Sequence, residues 1–164
     1  MAKKSKKAPL LGGDRVVASN RQARRDYDII DTWEAGIVLK GSEVKSLREA
    51  KVTLGEAYGL IDNGELWLHS LHITAYSHAA AVFGHEADRK KKLLLHRAEL
   101  DRIRSRVDQE RLTVIPLSLY FKNGRAKVEI ALARGRKQHD KRQALVRQAQ
   151  ERDADREMAR VRRY

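Results

Sequence analysis

Four carboxylates fall close together near the start of the chain: Asp26, Asp28, Asp31 and Glu34. On an extended strand Asp26 and Asp28 share a face, which suits a divalent-metal nuclease. Such enzymes draw their carboxylates from several elements, and the body of this chain has no second acidic cluster with suitable neighbours. The competing reading is solvated carboxylates balancing nearby arginines. Histidines offer a second chemistry. His69 and His72 are three apart, with His78 and His85 downstream. On a strand, however, positions i and i+3 point to opposite faces, and neither a cysteine nor a helical HExxH accompanies them. His139-Asp140 is the dipeptide of metal phosphohydrolases, but it sits in a basic segment with too few apolar residues to pack, where a solvated or RNA-stacking histidine fits better. Gly12-Gly13 follows no strand, so no phosphate loop is formed. The expectation is no catalytic residue, no metal and no cofactor.

The basic side chains point elsewhere. The 164 residues carry 35 Lys and Arg against 22 Asp and Glu, a formal net charge of +13. That excess favours a polyanionic partner. Lys45 and Arg48 project from a short helix, Arg89 to Lys92 cap a loop, and Lys122, Arg125 and Lys127 crowd a hairpin. Arg21 lies in the basic run Asn20-Arg-Gln-Ala-Arg-Arg25. Trp33, Trp67, Tyr120 and Phe121 are interspersed among them. Cations and aromatics on a small β-fold are an arrangement that holds structured or single-stranded RNA, although burial preference alone assigns each aromatic to the core first. No apolar run approaches the roughly 20 residues that cross a bilayer. The basic N-terminus lacks the apolar stretch of a signal peptide. The absence of cysteine fits a cytoplasmic protein.

The elements that position these residues are strands and two short helices. Asn123-Gly124 is a type I′ turn signal between the arms of a hairpin over 117–132. Ala126, Val128, Ile130 and Leu132 share one face of the second arm, Lys127 and Glu129 the other. A second hairpin turns at Asp62-Asn63-Gly64. Residues 27–40 read as two strand pieces or one bent strand, with Gly36 marking a bulge or a close backbone approach. Ser42 sits where an N-cap would start a helix over 42–50, with Glu43 favourable in its first turn. Leu100, Ile103 and Val107 mark the face of a helix over 97–109. Six short strands and two body helices imply a mainly β fold with α: a small OB-like barrel with associated helices, or alternatively an α+β sandwich. Residues 1–14 read as a disordered basic extension, 15–133 as the barrel, and 134–164 as a basic tail. The tail has good helix propensity but too few apolar residues for a core, so it is expected to be unfolded alone and helical against a partner.

Six blocks together resemble a known family. They are Asn20-Arg-Gln-Ala-Arg24, Glu34-Ala-Gly-Ile37, Gly41-Ser-Glu-Val-Lys-Ser-Leu-Arg48, Lys92-Leu-Leu-Leu-His96, Leu119-Tyr-Phe-Lys-Asn123 and Gly135-Arg-Lys-Gln-His-Asp-Lys-Arg142. In order, they are similar to the small protein B, or SsrA-binding protein, family over roughly residues 15–160. The resemblance implies an oligonucleotide-binding barrel that holds the tRNA-like domain of transfer-messenger RNA in trans-translation, the bacterial rescue of stalled ribosomes. It implies RNA contact at Asn20, Glu34, Leu94 and Lys127, to which the basic positions Arg21, Lys45, Arg48, Lys92 and Lys122 add. It implies a tail that enters the decoding centre of the small ribosomal subunit and the mRNA channel. Gly135, His139, Asp140, Lys141 and Arg142 match family tail residues, with Lys137 among them a phosphate partner. A monomer is expected, with elongation factor Tu reached through the RNA and no membrane. Three positions depart from the family: Ala87 replaces a proline, Lys91 an arginine, and Arg111 the glycine after the long helix.

Overall fold

In a computed structural model of the protein, residues 15–75, 86–136 and 138–161 are described. The expected extension over 1–14, much of the loop over 74–91 with His78 and His85, and Lys137 lie outside the described residues. The chain opens with β1 (Arg15–Ser19), a single helical turn α1 (Ala23–Asp26) and the long β2 (Tyr27–Ile37). After α2 (Gly41–Arg48) come β3 (Val52–Thr53), the hairpin of β4 (Tyr58–Asp62) and β5 (Glu65–His69), and β6 (His72–Ile73). Next are β7 (Lys91–Leu94), α3 (Arg97–Glu110), the central hairpin of β8 (Thr113–Lys122) and β9 (Arg125–Gly135), and α4 (Gln138–Val161).

Both expected hairpins form, and their turns show why. Asn63 and Gly64 have φ of 48° and 72°, Asn123 and Gly124 of 51° and 73°, the left-handed pair that a type I′ turn requires. The seven-stranded sheet runs β1-β8-β4-β5-β7-β2-β9, and β8 also pairs with β9, closing six strands into an antiparallel ring. The closure between β4 and β8 rests on Gly59 opposite Val114. A Cβ at Gly59 would meet Val114 Cγ1 at 2.8 Å, so the close approach that shuts the ring needs glycine there. Residues 27–37 are one strand, with its register shift between Ile29 and Asp31. Gly36 is the close approach rather than the bulge: its Cβ would stand 3.3 Å from Leu94 Cβ. Strands β1, β3, β6 and β7 bring the described total to nine, against six expected, because runs of two to five residues carry too little periodicity to read.

Val128, Ile130 and Leu132 of β9 point into the ring as the alternation implied, meeting Leu66, Leu68, Leu93 and Leu119. Leu47 of α2 and Ile103 of α3 join that cluster, so each body helix is pinned by one fully buried apolar residue. Burying each such side chain stabilises by about 1.5–3 kcal/mol. The other side of β8 and β9 carries smaller residues. There Ala23 of α1 packs with Ile115, Leu117, Ala131 and Ala133.

Helix ends differ from expectation in one respect. Helix α2 starts a residue earlier, so Lys40 rather than Ser42 takes the cap position. The Glu43 carboxylate accepts the Lys40 N–H at 2.7 Å, satisfying that orphan donor from within the first turn. At its C-terminus, Lys51 N–H donates to Ser46 O and Ala50 N–H to Leu47 O, a Schellman motif with Ala50 at φ 57°. Helix α3 ends on Arg111 at φ 51°, so the arginine takes the left-handed place where the family usually has glycine. Ala50→Gly and Arg111→Gly are each expected to stabilise the protein by roughly 0.5–1 kcal/mol in urea titrations, glycine's backbone entropy offsetting part of the relief. A loss of stability in both would contradict this.

Candidate functional site

The outward side of β2, β8 and β9 gathers the polar residues singled out in the sequence. Glu34 on β2 accepts a short hydrogen bond from the Tyr120 hydroxyl on β8, and Lys122 Nζ stands 3.3 Å from both its oxygens. Two residues before Lys122 on the same strand, Tyr120 faces the same way and pairs in register with Lys127 of β9. Lys127 in turn sits opposite Gly36. Across Gly36 lies Leu94, half exposed at 51% although it is a large apolar side chain. Beside this group Ser118 donates to Glu129 at 3.0 Å. The Tyr120 hydrogen bond holds the Glu34 carboxyl below the ordinary carboxylate range; partial burial opposes this, and Lys122 and Lys127 reinforce it. The result is an ionised acceptor flanked by two lysines, an open face that can hydrogen-bond a sugar or base edge while neutralising phosphates. The Lys127 side chain makes no hydrogen bond or ion pair among the described residues, and so is available to an anion.

Glu34, Leu94, Lys122 and Lys127 are therefore brought together. Tyr120 was missed as a site residue because it is 8% exposed and reads as core. The available signal was its two-residue spacing from Lys122 in an outward-facing series. The remaining positions are dispersed. Asn20 follows β1 on the other edge of β8; its side chain accepts from Ala23 N–H at 3.1 Å and donates to Pro116 O at 3.3 Å. It thus shapes the turn into α1, which presents Arg21 nearby on the exposed surface. Lys45 and Arg48 lie exposed on α2. Lys92 on β7 pairs with Glu65.

The basic run Arg89 to Lys92 is not a uniform cationic cap. Arg89 forks onto Glu43, Nη2 to Oε2 at 2.7 Å and Nε to Oε1 at 3.2 Å. Lys90 lies over the Trp67 ring, 4.7 Å from its centroid. Lys91 is fully buried, its ammonium donating to Leu71 O at 2.7 Å and Ala87 O at 3.1 Å. Three rotatable donors suit two carbonyls, so the absent arginine fork is no loss there.

The acidic segment does not converge. Arg25 lies 3.9 Å from Asp26, Arg136 pairs with Asp28 at 2.7 Å, Arg106 stands 3.6 Å from Asp31, and Glu34 has Lys122. His72 pairs with Asp88 and His69 stacks on Tyr58. Among the described residues no group of three His, Cys, Asp or Glu could hold a metal ion, and no helix is long and apolar enough to cross a membrane. The nuclease alternative loses its support, because Asp26 ends α1 while Asp28, Asp31 and Glu34 are strung along β2, each near its own cation.

Gly135, assigned to the tail from sequence, is the last residue of β9 and pairs with Tyr27. Arg136 N–H donates to Asp26 O at 3.0 Å. Beyond it, Gln138 to Val161 form one helix that includes His139, Asp140, Lys141 and Arg142. Those of its side chains that are described, Arg142 among them, are exposed. The structure shows the helical form of this segment.

The family model described as SmpB protein matches residues 17–160. A protein of Corynebacterium efficiens named SsrA-binding protein is 50% identical over 160 residues, covering 98% of this chain and 96% of its own. Relatives of the same name from Parafrankia and Anaeromyxobacter dehalogenans are 53% and 54% identical over 93% and 92% of this chain, and 94% and 91% of theirs. A solved chain reported under "tmRNA-SmpB: a journey to the center of the bacterial ribosome" is 44% identical with a TM-score of 0.64, covering 79% of this chain and 94% of that one.

Proposed function

The chain belongs to the SmpB family of SsrA-binding proteins, and on that premise we propose that it binds transfer-messenger RNA and works in trans-translation at stalled ribosomes. It is an RNA-binding adaptor in which no residue is assigned a catalytic role. The observation that carries the reading is the family match across nearly the whole chain. The ionised Glu34 between Lys122 and Lys127 supplies a place for the RNA. Glu34 accepts hydrogen bonds from a non-duplex part of the tRNA-like domain, Lys122 and Lys127 meet phosphates, and Leu94 packs against a base or sugar. Lys45, Arg48 and Lys92 add phosphate contacts, Arg21 adds one beside α1 on the other edge of β8, and Asn20 contributes by holding α1 in place. The tail serves the decoding centre, with His139 stacking on a base and Lys137, Lys141 and Arg142 meeting phosphates. Elongation factor Tu is reached through the RNA. Protein purified from cells carries transfer-messenger RNA in this reading; sequencing of the copurified RNA tests it, and enrichment of some other RNA would replace it.

Two substitutions test the face. Glu34→Gln keeps shape and removes charge. It weakens binding of the tRNA-like domain roughly ten-fold, the size of a lost charged hydrogen bond of about 1.5 kcal/mol. Equal or tighter binding by filter titration would show that Glu34 is merely solvated. Lys127→Ala weakens binding and lowers the slope of log affinity against log salt by about one unit. An unchanged slope would remove Lys127 from the phosphate contacts.

A further inference from the structure

A cleft of about 870 Å³ lies between the α1 region and the tail helix α4. Arg21, Arg24, Arg25 and Arg136 line one wall, and Arg147 and Arg152 of α4 the other. Among the described residues two acids, Asp28 and Glu151, line it with them, so the six arginines leave this lining four positive charges in excess. Asp28 is already engaged by Arg136 at 2.7 Å. Arg21, Arg24, Arg147 and Arg152 make no ion pair with an acid in this cleft. Two walls of like charge repel, and the described α4 side chains lie exposed, so little apolar burial offsets the repulsion. An anion between the walls reverses the sign of that interaction. Guanidinium groups present flat paired donors that match phosphate oxygens.

We propose that this cleft is a second RNA site, which takes the sugar-phosphate backbone of an RNA strand and thereby fixes the angle of α4 against α1. The ligand is read through its phosphates and not its bases, since among the described residues arginines line the walls and no aromatic does. It is distinct from the Glu34 face: none of Glu34, Leu94, Lys122 or Lys127 lines it. By linkage, whatever RNA occupies the cleft favours the docked tail, and the docked tail favours that RNA. Transfer-messenger RNA and the small ribosomal subunit offer the same chemistry, and the test separates them.

The chain has no cysteine, so Ser19→Cys with Ala154→Cys gives two unique labelling positions on β1 and α4. Spin-label distances are measured in the full-length protein alone, with a mixed-sequence single-stranded RNA, with a neutral-backbone analogue, with the isolated tRNA-like domain, and with small ribosomal subunits. The proposal expects the RNA and at least one of the two natural sources to narrow the distribution, and the neutral analogue to leave it unchanged. Arg24→Gln and Arg147→Gln each abolish the narrowing and each lower the salt slope of RNA binding by about one unit. Arg104→Gln on α3, which changes net charge equally away from the cleft, does neither. Distances insensitive to every RNA, narrowing by the neutral analogue, or equal effects of all three substitutions would overturn the proposal. Since Lys127→Ala reports on the other face, failure here leaves the binding assigned to that face standing.

Discussion

A chain ending at Arg136 retains most of its affinity for the tRNA-like domain and leaves stalled ribosomes unrescued. The cut follows the structure rather than the sequence boundary at Ala133. Arg134 and Gly135 pair with Asp28 and Tyr27, and Arg136 holds Asp28 and the Asp26 carbonyl. Ending at Ala133 would therefore fray β9 beside Tyr27 and confound a folding defect with a loss of function. Ending at Arg136 removes α4 while the ring and the Glu34 face stay intact. What is lost is a helix built from Gln, Arg, Ala, Glu and Asp whose described side chains are exposed. A helix of that composition is stabilised chiefly by what it docks against. RNA walls supply phosphates and base faces that the ring does not. Addition of the tag to stalled nascent chains, measured alongside RNA affinity, separates the two roles. Loss of affinity of a hundred-fold on truncation, or normal tagging by the truncated chain, would refute the division of labour. His139→Trp retains more tagging than His139→Ala if the ring stacks on a base.

Glu43→Gln costs about 3–5 kcal/mol of stability, the range found when one partner of a buried ion pair is removed. Glu43 is fully buried and accepts from Arg89 twice and from the Lys40 N–H, with the buried Lys91 ammonium in the same neighbourhood. Together these groups tie α2 to the segment that leads into β7. The amide cannot answer the Arg89 fork, and two cations are left in a desolvated place. Burial works to raise the Glu43 carboxyl, but the Arg89 hydrogen bonds, the Lys40 N–H and the charges of Arg89 and Lys91 outweigh it and hold it below its ordinary value. A lowered carboxyl contributes stability that is complete above the ordinary value and disappears as pH falls through the folded one. The wild-type protein should thus lose stability in acid between those two values, and Glu43→Gln should lose that part of the dependence. Lys91 acts with the opposite sign. Burial lowers its ammonium below the ordinary lysine range, so its charging opposes folding at neutral pH and that penalty fades as pH rises toward the ordinary value. Urea titrations across pH test both. A Glu43→Gln loss under 1 kcal/mol would show that the pair is replaceable.

The residues that sequence placed correctly are those whose evidence is local. Asn63-Gly64 and Asn123-Gly124 dictate their turns because two adjacent residues must take positive φ. Val128, Ile130 and Leu132 announce their face because a strand alternates every second residue. The six blocks identified the family, and helix propensity marked the tail. Charge has no such local address. Arg89, Lys90, Lys91 and Lys92 look alike in sequence. The structure makes one a fork on Glu43, one a cation over Trp67, one a buried ammonium and one a partner of Glu65. Glu34 likewise looked like one of four carboxylates near a strand; its distinction is the Tyr120 hydroxyl, 86 positions away in the chain. Asn20 reads as part of a basic run until Pro116, 96 positions on, reveals its hold on the turn. The arginine cleft exists only because β9 returns Arg136 to Asp28 and leads α4 back beside α1. Turns and faces follow from φ and periodicity, which neighbours in the chain determine. Whether a cation is buried, paired or open to an anion depends on desolvation and on partners delivered by distant strands, and that was decided by the tertiary structure alone.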